Sequence, residues 1–131
     1  IVFTFDKPIS SATAVVSGGI ATIGARTFSG NYVIVDLTGV TDQQYVTITM
    51  PSVASVDGGI GGSASARIGF LMGDVNQNRV VTVSDVGLTN AEVALPVTAS
   101  NFLKDINANG ALTVSDEGLA NSAVTHALPA P

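Results

Sequence analysis

The sequence predicts a mainly β chain with a small α part: an antiparallel β-sandwich over residues 1–72, followed by two loop-helix repeats over residues 73–131. Three observations carry this reading. Short runs of β-branched and aromatic residues, broken by Gly, Pro, Asn or Asp, recur through the first half, and none has a sustained 3.6-residue period. A twelve-residue polar loop occurs twice in the second half, from Asp74 to Asp85 and from Asp105 to Asp116. Each loop ends in the [ST]-x-x-[DE] pattern of a helix start.

In the first half the strands are expected over residues 1–5, 12–16, 20–28, 32–37, 45–50, 53–56 and 64–71. In the first of these, Ile1, Phe3 and Phe5 alternate with Val2 and Thr4, and Lys7-Pro8 ends the run. Phe28-Ser29-Gly30-Asn31-Tyr32 reads as a tight hairpin, and Leu37-Thr38-Gly39-Val40-Thr41-Asp42 as a longer crossing. About seven short strands at this spacing describe a sandwich.

Phe3-Thr4-Phe5-Asp6-Lys7-Pro8, Phe28-Ser29-Gly30-Asn31, Leu37-Thr38-Gly39-Val40 and Val46-Thr47-Ile48-Thr49 together resemble the bacterial immunoglobulin-like modules found near the C-terminal ends of secreted multidomain proteins. The resemblance implies an Ig-like sandwich acting as a binding, spacer or assembly module. No enzyme is expected. The first half has no histidine or cysteine to serve as a general base, and Asp6, Asp36, Asp42 and Asp57 sit at or near predicted turns with no motif to converge them. A sugar-binding platform is also weakly supported, because this half has no Trp and only Tyr32 and Tyr45 beside its few Phe.

The two loops are Asp74-Val75-Asn76-Gln77-Asn78-Arg79-Val80-Val81-Thr82-Val83-Ser84-Asp85 and Asp105-Ile106-Asn107-Ala108-Asn109-Gly110-Ala111-Leu112-Thr113-Val114-Ser115-Asp116. Oxygen-bearing side chains fall at loop positions 1, 3, 5 and 12, with a backbone carbonyl at 7 from Val80 or Ala111, which is the ligand spacing of a helix-linked calcium loop. Asp and Asn also populate ordinary turns. Two copies in register, each followed by a helix start, favour the metal reading. Superposing Asp74 on Asp105 continues the identities through Val93 on Val124, so the unit is a duplication. Each helix should run about ten residues, weakened by Gly87 and Gly118 by roughly 1 kcal/mol apiece.

These paired units resemble the dockerin family of EF-hand-like calcium modules over residues 73 to about 128. The resemblance implies two Ca²⁺ sites, one formed by Asp74, Asn76, Asn78, the Val80 carbonyl and Asp85, the other by Asp105, Asn107, Asn109, the Ala111 carbonyl and Asp116. It also implies partner recognition at loop positions 10 and 11, here Val83-Ser84 and Val114-Ser115. Three features depart from the family. Arg79 stands where calcium loops have Gly, so loop one should bind more weakly than loop two. Asn at position 5 leaves two formal charges per loop, which predicts affinity near 10⁻⁴ to 10⁻³ M, about the weak extracellular range. The basic pair that often follows in cohesin-binding helices is replaced by Leu88-Thr89-Asn90-Ala91 and Leu119-Ala120-Asn121-Ser122. Mg²⁺ fits less well, since it prefers a tight octahedron and retains waters.

Composition bounds the partners. With 131 residues, 46% of them apolar, the chain can bury a core, and a net charge of −5 without a basic cluster disfavours nucleic acid. No run approaches a membrane span, and cysteine is absent. Weak oxygen-ligand loops suit millimolar extracellular calcium, so an exported bacterial protein, extracellular or at the cell surface, is expected. Residues 67–72 run straight into Gly73-Asp74 without a flexible linker, which predicts two halves packed as one body with Phe70, Leu71, Val86 and Phe102 in a shared core. His126 is expected to pack or face solvent. The expected role is a non-catalytic, calcium-stabilised structural subunit that assembles with itself or with neighbouring modules. Ile1, Val2, Phe3, Thr4 and Phe5 either complete a neighbour's sheet by strand addition or form an ordinary edge strand of their own sandwich. The alternative is a dockerin-type module that anchors a larger secreted protein to a cohesin-like receptor through Ser84 and Ser115.

Overall fold

The computed structural model describes residues 1–130. The chain forms two compact units, Ile1–Phe70 and the remainder from Leu71 onward. In the first, every strand pairing is antiparallel and the strands form two sheets. One sheet orders β1 (Val2–Thr4), β5 (Tyr32–Thr38) and β4 (Thr22–Ser29), with β5 central. The other is built on the long β6 (Gln44–Ser55). One edge of β6 takes β7 (Gly62–Phe70), and the other is shared end to end by β2 (Ile9–Ala12) and β3 (Val15–Gly18).

Alternation decides which side chains meet. Val33 and Val35 of β5 and Val46, Ile48 and Met50 of β6 are fully buried and form one cluster with Phe3, Ile9, Ala12 and Val53. Residues from both sheets share that cluster, as in a sandwich. Burying each large aliphatic side chain contributes about 1.5–3 kcal/mol. The β4–β5 hairpin closes through Gly30-Asn31, with Ser29 paired to Tyr32 and Gly30 at φ 57°. Glycine at the first central position is what a type II′ turn requires.

Two expected strands prove to be one. Residues 45–50 and 53–56 were to be separated by Pro51-Ser52, but β6 runs through them with a register shift between Met50 and Val53. The shift moves the buried set from Val46, Ile48 and Met50 to Val53, and a bulge is where a strand tolerates a proline that has no N–H to donate. Conversely, the strand expected at 12–16 is two. It breaks at Thr13-Ala14, where Thr13 N donates to Ser52 O at 3.1 Å opposite the bulge.

In the second unit, α1 (Val83–Asn90) and α2 (Val114–Ser122) pack on each other, joined by a connector that includes a 3-10 turn, Phe102–Lys104. Thr82 and Thr113 cap them: each hydroxyl accepts from the backbone of Ser84 or Ser115 at 3.2 Å. Its small core holds Val75, Val81, Leu112, Ala120 and Ala123. Gly73 stands against it at φ 89°, where a Cβ would lie 3.3 Å from Ala120 Cα and Ala123 Cβ. Only glycine suits that position. Phe102, expected in a shared core, is instead 57% exposed, and Phe70 packs against the sandwich of its own unit. No helix among the described residues is long and apolar enough to cross a membrane.

Gly87 and Gly118 lie inside these helices, outside the left-handed region, and a Cβ at either would meet nothing within 4 Å. Gly87→Ala and Gly118→Ala should therefore each stabilise the second unit by about 0.5–1 kcal/mol, measured as a rise in the urea midpoint at unchanged slope.

Candidate metal centre

Both loops fold the same way, bond for bond. In loop one, Asp74 Oδ1 accepts from Asn78 N at 3.0 Å and Oδ2 from Arg79 N at 2.8 Å. Asn76 Oδ1 accepts from Asn78 N at 3.0 Å, and Asn78 Oδ1 from Val80 N at 2.9 Å. Loop two repeats these with Asp105 to Asn109 N at 3.0 Å and Gly110 N at 2.8 Å, Asn107 to Asn109 N at 3.0 Å, and Asn109 to Ala111 N at 2.9 Å. Short polar side chains that bond the backbone two residues on are what curl a chain into such a loop.

The last residue closes each ring. Asp85 Oδ1 accepts from Asn76 N at 3.3 Å, and Oδ2 accepts from Thr82 N at 2.9 Å and Thr82 Oγ1 at 3.0 Å. Asp116 makes the same three bonds to Asn107 N, Thr113 N and Thr113 Oγ1. Both carboxylates are fully buried. One residue thus caps a helix, binds the third position of its own loop and brings its charge to the ring.

The backbone repeats as well. Gln77 and Ala108 at position 4 take φ 61° and 55°, and Arg79 and Gly110 at position 6 take 75° and 84°. Arg79 therefore adopts the turn that glycine adopts in loop two, at a cost of about 1–2 kcal/mol. Each loop is also held by the other repeat. Val81 N donates to His126 O at 2.8 Å and Thr125 N to Val81 O at 3.0 Å, beyond the end of α2, while Ala94 N, beyond α1, donates to Leu112 O at 2.9 Å.

Hydrogen bonds to the loop backbone tie Asp74, Asn76, Asn78 and Asp85 into one turn and Asp105, Asn107, Asn109 and Asp116 into the other, with Val80 and Ala111 in the same turns. A carboxylate or amide oxygen that accepts one N–H keeps a second lone pair for a cation. The donor set is oxygen only, which fits a hard cation such as calcium. Each loop carries two carboxylates, and among the described residues, these loops included, no group of three or more His, Cys, Asp or Glu side chains converges.

Other residues of interest fall elsewhere. Ile1 to Phe5 serve the chain's own sheet: Val2 pairs with Ile34 and Thr4 with Tyr32, the Ile1 amino group donates to Val35 O at 2.8 Å, and Phe3 is in the core. In the single chain β1 is an edge strand of the first sheet. Ser84 and Ser115 are exposed on the first turns of α1 and α2 beside Val83 and Val114, which are 77% and 72% exposed. Arg67 lies 3.9 Å over the ring of Tyr45 and covers one of its faces.

Two clusters carry no sequence signal. Lys104 pairs with Glu92, and the buried Asn101 donates to Glu92 Oε2 at 2.9 Å while accepting from Thr98 N at 2.6 Å, which pins the connector between the repeats. The Lys104 hydrogen bond, with that of Asn101, holds the Glu92 carboxyl below its usual range. In the sandwich, Lys7 Nζ meets Asp57 Oδ2 at 2.7 Å at the rim of an open cleft of about 300 Å³ lined by Phe5, Ile9, Val53 and Ile60. Hydrogen bonds from Lys7, Ser55 and Gly59 draw the Asp57 carboxyl down to about 2. Comparison with known protein families, with curated proteins and with solved structures finds no match for this chain.

Burial pushes the Asp116 carboxyl up, but the hydrogen bonds from Thr113, Asn107 and Ile106 outweigh it and leave the group below its ordinary 3.8. Because the folded value lies below the unfolded one, Asp116 stabilises the fold fully above about pH 4, and that contribution is lost as pH falls toward the folded value. Urea unfolding across this range should show the second unit weakening. Asp116→Asn should flatten the dependence and cost about 1–3 kcal/mol at neutral pH, since an amide N–H would face a donor.

Proposed function

We propose that the chain is a non-catalytic, calcium-stabilised structural module of an extracellular or cell-surface assembly, built from an Ig-like sandwich and a dockerin-like pair of calcium loops. The observation that supports the reading is the pair of equivalent loops, each carrying oxygen-bearing side chains at the calcium-loop spacing and each closed by a buried carboxylate. Each buried carboxylate is already met by three donors, and a cation held by the remaining loop oxygens would add a counter-charge to it. Two carboxylates per loop suit the millimolar calcium outside cells, and a ligand bound only by the folded state adds RT ln(1 + [L]/Kd) to stability. Loop one, with strained Arg79, is the weaker site. Assembly with further copies would exchange β1, one chain's Val2–Thr4 replacing another's on β5.

A second reading has its own support. Val83-Ser84 and Val114-Ser115 present the same apolar and hydroxyl pair twice, on equivalent exposed turns. That suits a docking module anchoring a larger secreted protein to a cohesin-like receptor.

Sedimentation velocity in millimolar calcium and in excess chelator separates the two. Self-assembly predicts large species in calcium that fall to monomers in chelator and that disappear when residues 1–6 are deleted. A compact monomer under both conditions would remove self-assembly and leave the docking reading.

A further inference from the structure

Loop two contains the only Asn-Gly pair in the sequence, Asn109-Gly110; loop one has Asn78-Arg79 at the same two positions. Asparagine deamidates when the backbone nitrogen of the next residue attacks its side-chain carbonyl, and a following glycine offers the least steric resistance and the freest backbone. Both residues are exposed, and a Cβ added at Gly110 would meet nothing within 4 Å, so water and base reach the pair.

We propose that Asn109 is a site of spontaneous deamidation, gated by the opening of loop two. The Gly110 nitrogen loses its proton to solvent base and bonds to Asn109 Cγ. The side-chain amide nitrogen takes a proton from water, its bond to Cγ breaks, ammonia leaves, and a succinimide remains. Water then opens the ring at either carbonyl, giving aspartate or isoaspartate, with no oxidant or reductant required.

In the closed loop both reacting groups are engaged. Gly110 N–H donates to Asp105 Oδ2 at 2.8 Å, and Asn109 Oδ1 is held by Ala111 N at 2.9 Å, while the Asn109 backbone N–H is shared by Asp105 and Asn107. Ring closure must free the Gly110 N–H from Asp105 and turn the Asn109 side chain toward that nitrogen, so the rate follows local opening. The products differ in effect. Aspartate adds a third carboxylate to loop two, whereas isoaspartate inserts a methylene into the backbone and disrupts the spacing of the ring. Loop one, with a bulky residue after Asn78, is spared. Two loops with matching hydrogen bonds therefore differ in chemical lifetime.

The intact chain is incubated at mildly alkaline pH in native buffer, where circular dichroism shows it folded, and in urea, then peptide-mapped with separation of aspartate and isoaspartate products. Conversion in urea should be fastest at Asn109, and roughly tenfold or more slower in the folded chain. Arg79→Gly should bring Asn78 to a similar rate in urea. Conversion in urea no faster at Asn109 than at other asparagines would overturn the site, and equal rates in the two conditions would overturn the gating.

Discussion

The second unit depends on two carboxylates that water does not reach. Asp85 and Asp116 each satisfy a helix start and a loop at once, and each has three donors waiting. A buried ionised group without such partners would be expelled or neutralised. Because one carboxylate holds position 3 through Oδ1 and the helix start through Oδ2, loop closure and helix capping are coupled. The short helices, one of eight and one of nine residues, are below the length that is stable alone, so loop closure and helix formation stand or fall together.

The duplication extends this coupling across the unit. Val81 and Leu112 hold equivalent places in the two loops, and each is clamped by the chain beyond the other repeat's helix. Glu92, Lys104 and Asn101 then fix the connector. Neither repeat completes its own hydrogen bonding, which gives a physical reason for there being two. The sandwich is organised differently, by apolar burial across β5 and β6, and its few charged groups stay at the surface.

Much of this was legible in the residues. The loops could be read because their chemistry is local: short oxygen-bearing side chains at fixed offsets, followed by Thr82 or Thr113 and an acidic residue three positions on. The hairpin at Gly30-Asn31 was legible for the same reason. What escaped was non-local. Pro51 reads as a strand end, and only the partners of β6 make it a bulge. Thr13-Ala14 looks continuous until Ser52 lies opposite. Phe102 reads as core by hydrophobicity alone, yet it is exposed. The Glu92–Lys104 pair joins positions too far apart for any helical spacing to suggest, and the clamp from His126 uses only backbone atoms, which leave no mark on the sequence.

Isothermal titration of the metal-free chain with calcium tests the proposal that the two loops are hard-cation sites. Binding is expected at two unequal sites in about the 10⁻⁴ to 10⁻³ M range, with the weaker one strengthened by Arg79→Gly. No heat of binding, together with a thermal midpoint unmoved by calcium, would contradict it and leave the loops as capped turns.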